Sequence, residues 1–383
     1  MTRVRIQPFR ILALSCCLTA AGCVDAVPPP TATGQPIAGS TGYPRLVRLL
    51  DPAGLSSNRL LAASGAQLFE SDDGGAGWHR IGQVAPPAEG WRLRCCEALA
   101  VLPEPVGTLP TGTILFAASY WNGAIPAIAI FSSADLGRSW FYRGAPIVRG
   151  APGHGLWEPE FEVAADGALV MLWSDETDPA HSQKLVQIRT RDGTHWGDET
   201  DTVASSVFAD RPGMATVSRS RGGQYVMTYE VCGPSYDCAV FSRASADGWN
   251  FGDPRQIGTR VQTRDGTYLH SAPVHVWSPS RTLADGELVV VAKRVLQADG
   301  SASPLTGARL FVNQQPDGSG FWTTIDAPVQ VPDIAEQNAC QNYSSALLPA
   351  PDGSSVLELA ADFAPGGACT VYARRGRLDG SGS

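Results

Sequence analysis

Long amphipathic runs are scarce in this chain of 383 residues, and methionine occurs only four times. A helical architecture therefore has little to build from. Beyond the N-terminal leader, no stretch reaches the roughly 20 apolar residues that a membrane-spanning helix needs. Bases are outnumbered, 29 against 37 acids, and three of them (Arg3, Arg5 and Arg10) fall in the leader. Nucleic acid is excluded as an expected partner on that balance. Neither a C-x-x-C pair nor a histidine pair accompanies the cysteines, so no metal and no organic cofactor is expected. What the chain has in quantity is turn formers, 41 Gly and 29 Pro. That composition suggests many short strands joined by tight turns.

The first residues read as a targeting segment rather than as structure. Met1 to Arg10 is basic, Ile11 to Leu18 is apolar, and small residues lead into Cys23. Ala20-Ala21-Gly22-Cys23 resembles a bacterial lipobox, with Ala20 where that motif prefers Leu. The resemblance implies lipidation of Cys23 and an exported cell-envelope lipoprotein, with simple secretion as the alternative. The chain divides accordingly into a lipoprotein-type signal peptide (1–22), a flexible tether rich in Pro, Thr and Gly (23–42) and a folded domain (43–383). Membrane contact is expected through the lipid alone, and a monomer is expected. Six cysteines follow Cys23, an even number that suggests disulfides in an exported chain. Cys232 and Cys238 suit a loop staple, and Cys340 and Cys369 suit a tie between neighbouring strands. Cys95 and Cys96 remain, either as a vicinal pair or as free thiols.

A short pattern recurs. Ser71 to Trp78 and Ser133 to Trp140 both read S-x-D-x-G-x-x-W, and tighter copies run from Thr190 to Trp196 and from Ser245 to Phe251. A degraded copy spans Gln315 to Phe321. Their aspartates (Asp73, Asp135, Asp192, Asp247, Asp317) return every 55 to 70 residues or so, which marks a repeat architecture. The copies resemble Asp boxes, the hairpin turns of sialidase-like propellers. Strand-like segments between them predict an all-β, sialidase-like six-bladed β-propeller with four-stranded antiparallel blades. The sixth unit has three strands of its own, so Gln35 to Gly42 is expected to supply its outer strand and close the ring.

In such a blade the box lies between strands 3 and 4, which assigns it a structural role. Chemistry is expected on the opposite rim, at strand-1 starts and strand-2 ends. Those positions hold Tyr43, Arg45, Glu97, Trp157, Glu158, Asp175, Glu176, Arg211, Tyr229, Glu230, His270 and Tyr343, among others. Aromatic rings beside paired carboxylates suit glycoside hydrolysis. Each residue also has a structural alternative. Glu158 could ion-pair with Arg211, Asp175 and Glu176 could cap a turn, and His270 and Tyr343 could simply pack.

Trp157-Glu158-Pro159, Trp173-Ser174-Asp175-Glu176, Asp210-Arg211-Pro212-Gly213-Met214 and Met227-Thr228-Tyr229-Glu230, with Tyr43-Pro44-Arg45, together resemble glycoside hydrolase family 93, the exo-α-1,5-L-arabinanases of the sialidase clan. The resemblance implies a retaining, exo-acting hydrolase of an α-linked, arabinan-like oligo- or polysaccharide. It implies that Glu158 and Glu230 are the catalytic pair, and Glu158 as acid/base with Glu230 as nucleophile is the arrangement we favour, although the sequence alone does not decide between the two orders. Tyr43, Arg45, Trp157, Asp175, Arg211, Tyr229, His270 and Tyr343 are the expected substrate-binding residues. The chain departs from the family at Glu176, at Glu160 and at Cys95-Cys96-Glu97-Ala98. An exo-sialidase-like hydrolase and a non-catalytic propeller that binds glycan or protein are the alternatives.

Overall fold

The computed structural model describes residues 32–39, 42–51, 54–149 and 154–378. The expected signal peptide, Cys23 and most of the expected tether lie outside them. Among the described residues there is no α-helix, and hence no helix long and apolar enough to cross a membrane.

Six antiparallel sheets follow one another along the chain. Their innermost strands are Pro44–Leu50, Trp91–Val101, Leu156–Val163, Arg211–Arg219, Val274–Ser278 and Ala346–Pro349. Each packs beside the inner strands of both neighbouring blades, the last beside the first, so the sheets form a closed six-bladed propeller. Alternation of side chains along the strands turns each blade's two faces into the adjoining interfaces. Trp173, Phe116 and Tyr229 are fully buried there. A buried side chain such as Phe116 contributes about 1.5–3 kcal/mol.

Blade 6 takes its outer strand from the N-terminal side. Gln35–Gly39 pairs antiparallel with Cys369–Arg377, placing Gln35 opposite Ala373 and Gly39 opposite Thr370. The stretch expected as tether is thus ordered β-structure from residue 35 to residue 39. Blade 4 departs from the regular plan. Its outer strand is only Thr259–Arg260, and its third strand, Ala239–Ser245, also pairs through Ala239 with His270 of Tyr268–His270.

The repeated boxes are turns at the foot of the blades. Ser71 Oγ donates to Asp73 Oδ1 (2.8 Å), which also accepts the Gly77 amide (2.8 Å). Asp135 holds Ser133 Oγ and the Ser139 amide in the same way. The aromatics Trp78, Trp140, Trp196 and Phe251 pack into four successive interblade clusters.

The opposite rim carries a second repeat that the sequence does not announce. Cys96, Glu158, Met214, Ala272 and Ser344 all have left-handed backbone, with φ of 66°, 57°, 55°, 50° and 55°. Each lies two residues ahead of the point where regular inner-strand pairing resumes, at Ala98, Glu160, Thr216, Val274 and Ala346. Within blades 2, 3 and 4 these are bulges, which re-aim side chains at a strand end. Left-handed non-glycine residues are costly and cluster where function holds them. Blade 1 starts straight, through Tyr43 and Pro44, because proline restricts both its own φ and the residue before it.

Candidate active site

A cavity of about 670 Å³ opens on the bulged rim. Tyr43, Trp157, Glu158, Arg211, Glu230 and Tyr343, six of the expected site residues, line it together with Glu97, Glu176, Gln183 and cysteines from all three disulfides. Its floor is a small apolar cluster of Tyr43, Cys96, Met214 and Ala272, with Cys95 and Tyr343 packed against them. Below this floor lies a separate axial space of about 520 Å³ bounded by inner-strand residues of all six blades. The site is a pocket with a floor, not a channel through the ring.

The two glutamates meet around Gly213. Glu158 leans over it from blade 3, where Oε2 accepts from Ser174 Oγ (2.5 Å) and from the Met214 amide (3.0 Å). Glu230 stands directly opposite Gly213 in the ladder, and its Oε2 accepts from the Ala272 amide (2.6 Å). Any side chain at 213 would collide here, since a Cβ would sit 2.5 Å from Gln183 Nε2 and 3.5 Å from Glu158 Oε2. Each carboxyl is therefore held by the amide of a left-handed residue, Met214 or Ala272. Burial pushes both carboxyls up, and the negative charge of Glu158 adds to the shift at Glu230, which reaches about 7. Glu158 has two donors against one, so in the free protein the proton shared near neutral pH rests more on Glu230.

One wall is built on Arg211. Its guanidinium pairs with Glu176 and donates to Gln183 Oε1 (2.7 Å) and to the Ser182 carbonyl and hydroxyl (3.0 and 2.9 Å). Burial would raise the Glu176 carboxyl, but donors from Arg211, Trp157 and the Gly155 amide outweigh it and hold the group ionised. The extra acid at 176 is thus neutralised within the wall. Trp157 lies flat against Gly155, where a Cβ would fall 1.9 Å from its ring. Tyr343 faces Tyr43 at 6.3 Å between ring centroids, and burial, with the Glu158 and Glu230 carboxyls nearby, raises its phenol.

Four expected site residues do not line the cavity. Asp175 is fully buried, ion-paired to Arg149 (3.2 Å), and caps its own turn through Thr177. Strand alternation explains this, because Ser174 and Glu176 take the cavity side and Asp175 the other. Tyr229 likewise points away from the side that Glu230 takes, into the core between blades 3 and 4, where its hydroxyl donates to the Ile257 carbonyl. Arg45 lies under the floor, stacked on the Tyr43 ring at 3.9 Å and bonded to Ser344 Oγ. His270 is not the start of blade 5. The left-handed residues Ser271 and Ala272 break the chain after it, and it pairs back onto blade 4. Ser174, Gln183 and the amides of Met214 and Ala272 were not foreseen. Period-two alternation from Glu176 would have found Ser174, but nothing in the sequence signals the amides.

Among the described residues, one group of metal-ligand type, Glu70, Asp72 and His79, has its ligand atoms within 4.8 Å of one another. It lies on the rim of the repeated aspartate turns, and Glu70 is already paired with Arg59 and Arg138.

The class defined by this fold and site is a six-bladed β-propeller with a buried carboxyl pair on the rim opposite its repeated aspartate turns. Among solved structures, the chain is similar to the GH93 α-L-arabinofuranosidase of Fusarium graminearum in complex with arabinobiose. Identity is 24%, the match covers 91% of this chain and 98% of that one, and the TM-score is 0.72. It is similar also to the α-L-arabinanase of Penicillium chrysogenum complexed with arabinobiose, at 26% identity over 90% and 98% of the two chains, with a TM-score of 0.71. A Hadza microbial sialidase, Hz136, is more distant, at 14% identity, 88% and 65% coverage and a TM-score of 0.55. No family model and no curated protein matches the chain.

Proposed function

We propose that the chain is a retaining, exo-acting glycoside hydrolase that cleaves an α-linked, arabinan-like glycan from its end. The observation that carries this reading is the pair of buried carboxyls, Glu158 and Glu230, held by backbone amides in one floored pocket. The likeness to two structures that hold arabinobiose supports the substrate class.

In this mechanism Glu158 gives its proton to the leaving oxygen as the glycosidic bond breaks, and Glu230 attacks the anomeric carbon to form a glycosyl-enzyme. Water then attacks that carbon, Glu158 takes its proton, and Glu230 leaves with the electron pair of the ester bond. For Glu158 to act as the acid, the shared proton passes to it from Glu230 as the sugar displaces water. Arg211 and Gln183 position the sugar, and Trp157, Tyr43 and Tyr343 present ring faces to it. The test is hydrolysis of linear arabinan and of a sialyl substrate by the wild-type protein. Arabinose-containing product is expected, sialic acid release would favour a sialidase, and no release from either would leave a binding propeller.

A pH dependence follows. The pair works with one proton between the two carboxyls, so kcat/KM should fall as pH rises through about 7, where Glu230 loses its proton in the free protein. A profile flat between pH 6 and pH 8 or so would refute this assignment. We propose further that the protein works outside the cytoplasm. Three disulfides, Cys95–Cys96, Cys232–Cys238 and Cys340–Cys369, suit an oxidising compartment.

A further inference from the structure

The cavity wall contributed by blades 1 and 2 takes no part in the two-carboxylate chemistry. It consists of Gly65, Leu93, the Cys95–Cys96 disulfide and Glu97, with Arg94 at its rim. Glu97 is 1% exposed, and its Oε1 has no hydrogen-bond partner among the described residues. An orphaned acceptor at this depth costs stability, and its persistence calls for a partner that arrives from outside. Gly65, beside it in the wall, brings a backbone amide but no side chain to cover Oε1. Burial pushes the Glu97 carboxyl up to about 8, against its own amide, the charge of Arg45 and the Gly65 amide, so at neutral pH it can donate as well as accept.

The disulfide supplies what Glu97 lacks. Because its two cysteines are adjacent, the bridge closes a small covalent ring that presents sulfur and methylene groups as one apolar face. Cys96 is buried against Met214 and Ala272, whose amides hold Glu158 and Glu230. A ligand resting on this face is therefore in fixed register with the acid pair.

We propose that the Cys95–Cys96 disulfide and Glu97 form the subsite that receives the sugar at the end of the chain, with the disulfide against the apolar face of the ring and Glu97 hydrogen-bonded to a ring hydroxyl. The inference rests on the hydrolase reading and deepens it. A wall with a single buried acid beside a rigid platform fits one terminal residue and gives the polymer no way past the floor, which is what exo-action requires.

The test is calorimetric binding of arabinobiose to wild type, Glu97→Gln and Glu97→Leu, with the Tm of each. Glu97→Leu should weaken binding roughly 10- to 100-fold while raising Tm, because it removes a buried carboxyl one of whose oxygens has no partner. Glu97→Gln keeps a donor and an acceptor and should bind within about threefold of wild type. The Cys95→Ala/Cys96→Ala pair should weaken binding about tenfold, with Tm separating loss of the wall from loss of the fold. Unchanged affinity in Glu97→Leu overturns the subsite and leaves the hydrolase reading standing. So does a fall in Tm that accompanies its loss of affinity, because that marks a structural acid. A wild-type protein that neither binds arabinobiose nor hydrolyses arabinan overturns the hydrolase reading, and the subsite with it.

Discussion

Glu158→Gln and Glu230→Gln are each expected to lower kcat on linear arabinan by about 10³-fold or more, with arabinobiose still bound. The amide is nearly isosteric with the carboxyl, so neither replacement disturbs packing. What it removes is the ability to give a proton in one case and to form a covalent bond in the other. Both acids are buried and raised, so neutral replacements relieve a desolvation cost, and Tm should hold or rise. Equal activity in both variants and wild type would rule out this pair. Roles separate through rescue. Azide added to Glu230→Ala should yield a glycosyl azide of inverted configuration, whereas Glu158→Ala should yield one of retained configuration, because only the second still forms the glycosyl-enzyme. The opposite pattern would exchange the two roles and agree with the free protein's preference for a proton on Glu230.

Deleting residues 35–39 is expected to lower Tm by about 10 °C or more and to promote association. The deletion strips the outer strand from blade 6 and leaves the backbone of Cys369–Arg377 unpaired at an open edge. It also removes what covers Val371 and Ala373, which share a core cluster with Leu46 and Leu60 of blade 1. The loss therefore reaches the seam between the first and last blades, which the chain crosses on its way from Gln35–Gly39 to Pro44–Leu50. An unchanged melt, read by calorimetry on the monomer, would show that the seam holds without its strand.

The blades were legible because two periodicities agree. The box pattern sets the repeat, and apolar runs set the strands, as at Leu156–Val163 and Leu169–Asp175, which Asp166-Gly167 turns into a hairpin. Side selection was legible in principle at Asp175 and Tyr229, whose neighbours Glu176 and Glu230 take the cavity side. His270 was not. Its removal from blade 5 depends on left-handed backbone at Ser271 and Ala272, a conformation that those residue types do not advertise. The same applies to the amides that hold the glutamates, since a backbone donor has no residue identity to read. The disulfide partners of Cys95 were ambiguous for a simpler reason: sequence adjacency permits a bridge without requiring one.

The five left-handed residues on this rim divide the labour of the chain. Everything outward of them is frame, bonded by ladders and boxes that are indifferent to what happens at the axis. The carboxyl pair hangs on three of them: Glu158 itself, and Met214 and Ala272, whose amides hold Glu158 and Glu230. A lineage built on this frame could trade one reaction for another by rewriting a handful of residues at the mouth while leaving the six blades untouched, which gives the propeller the character of a socket rather than a tool.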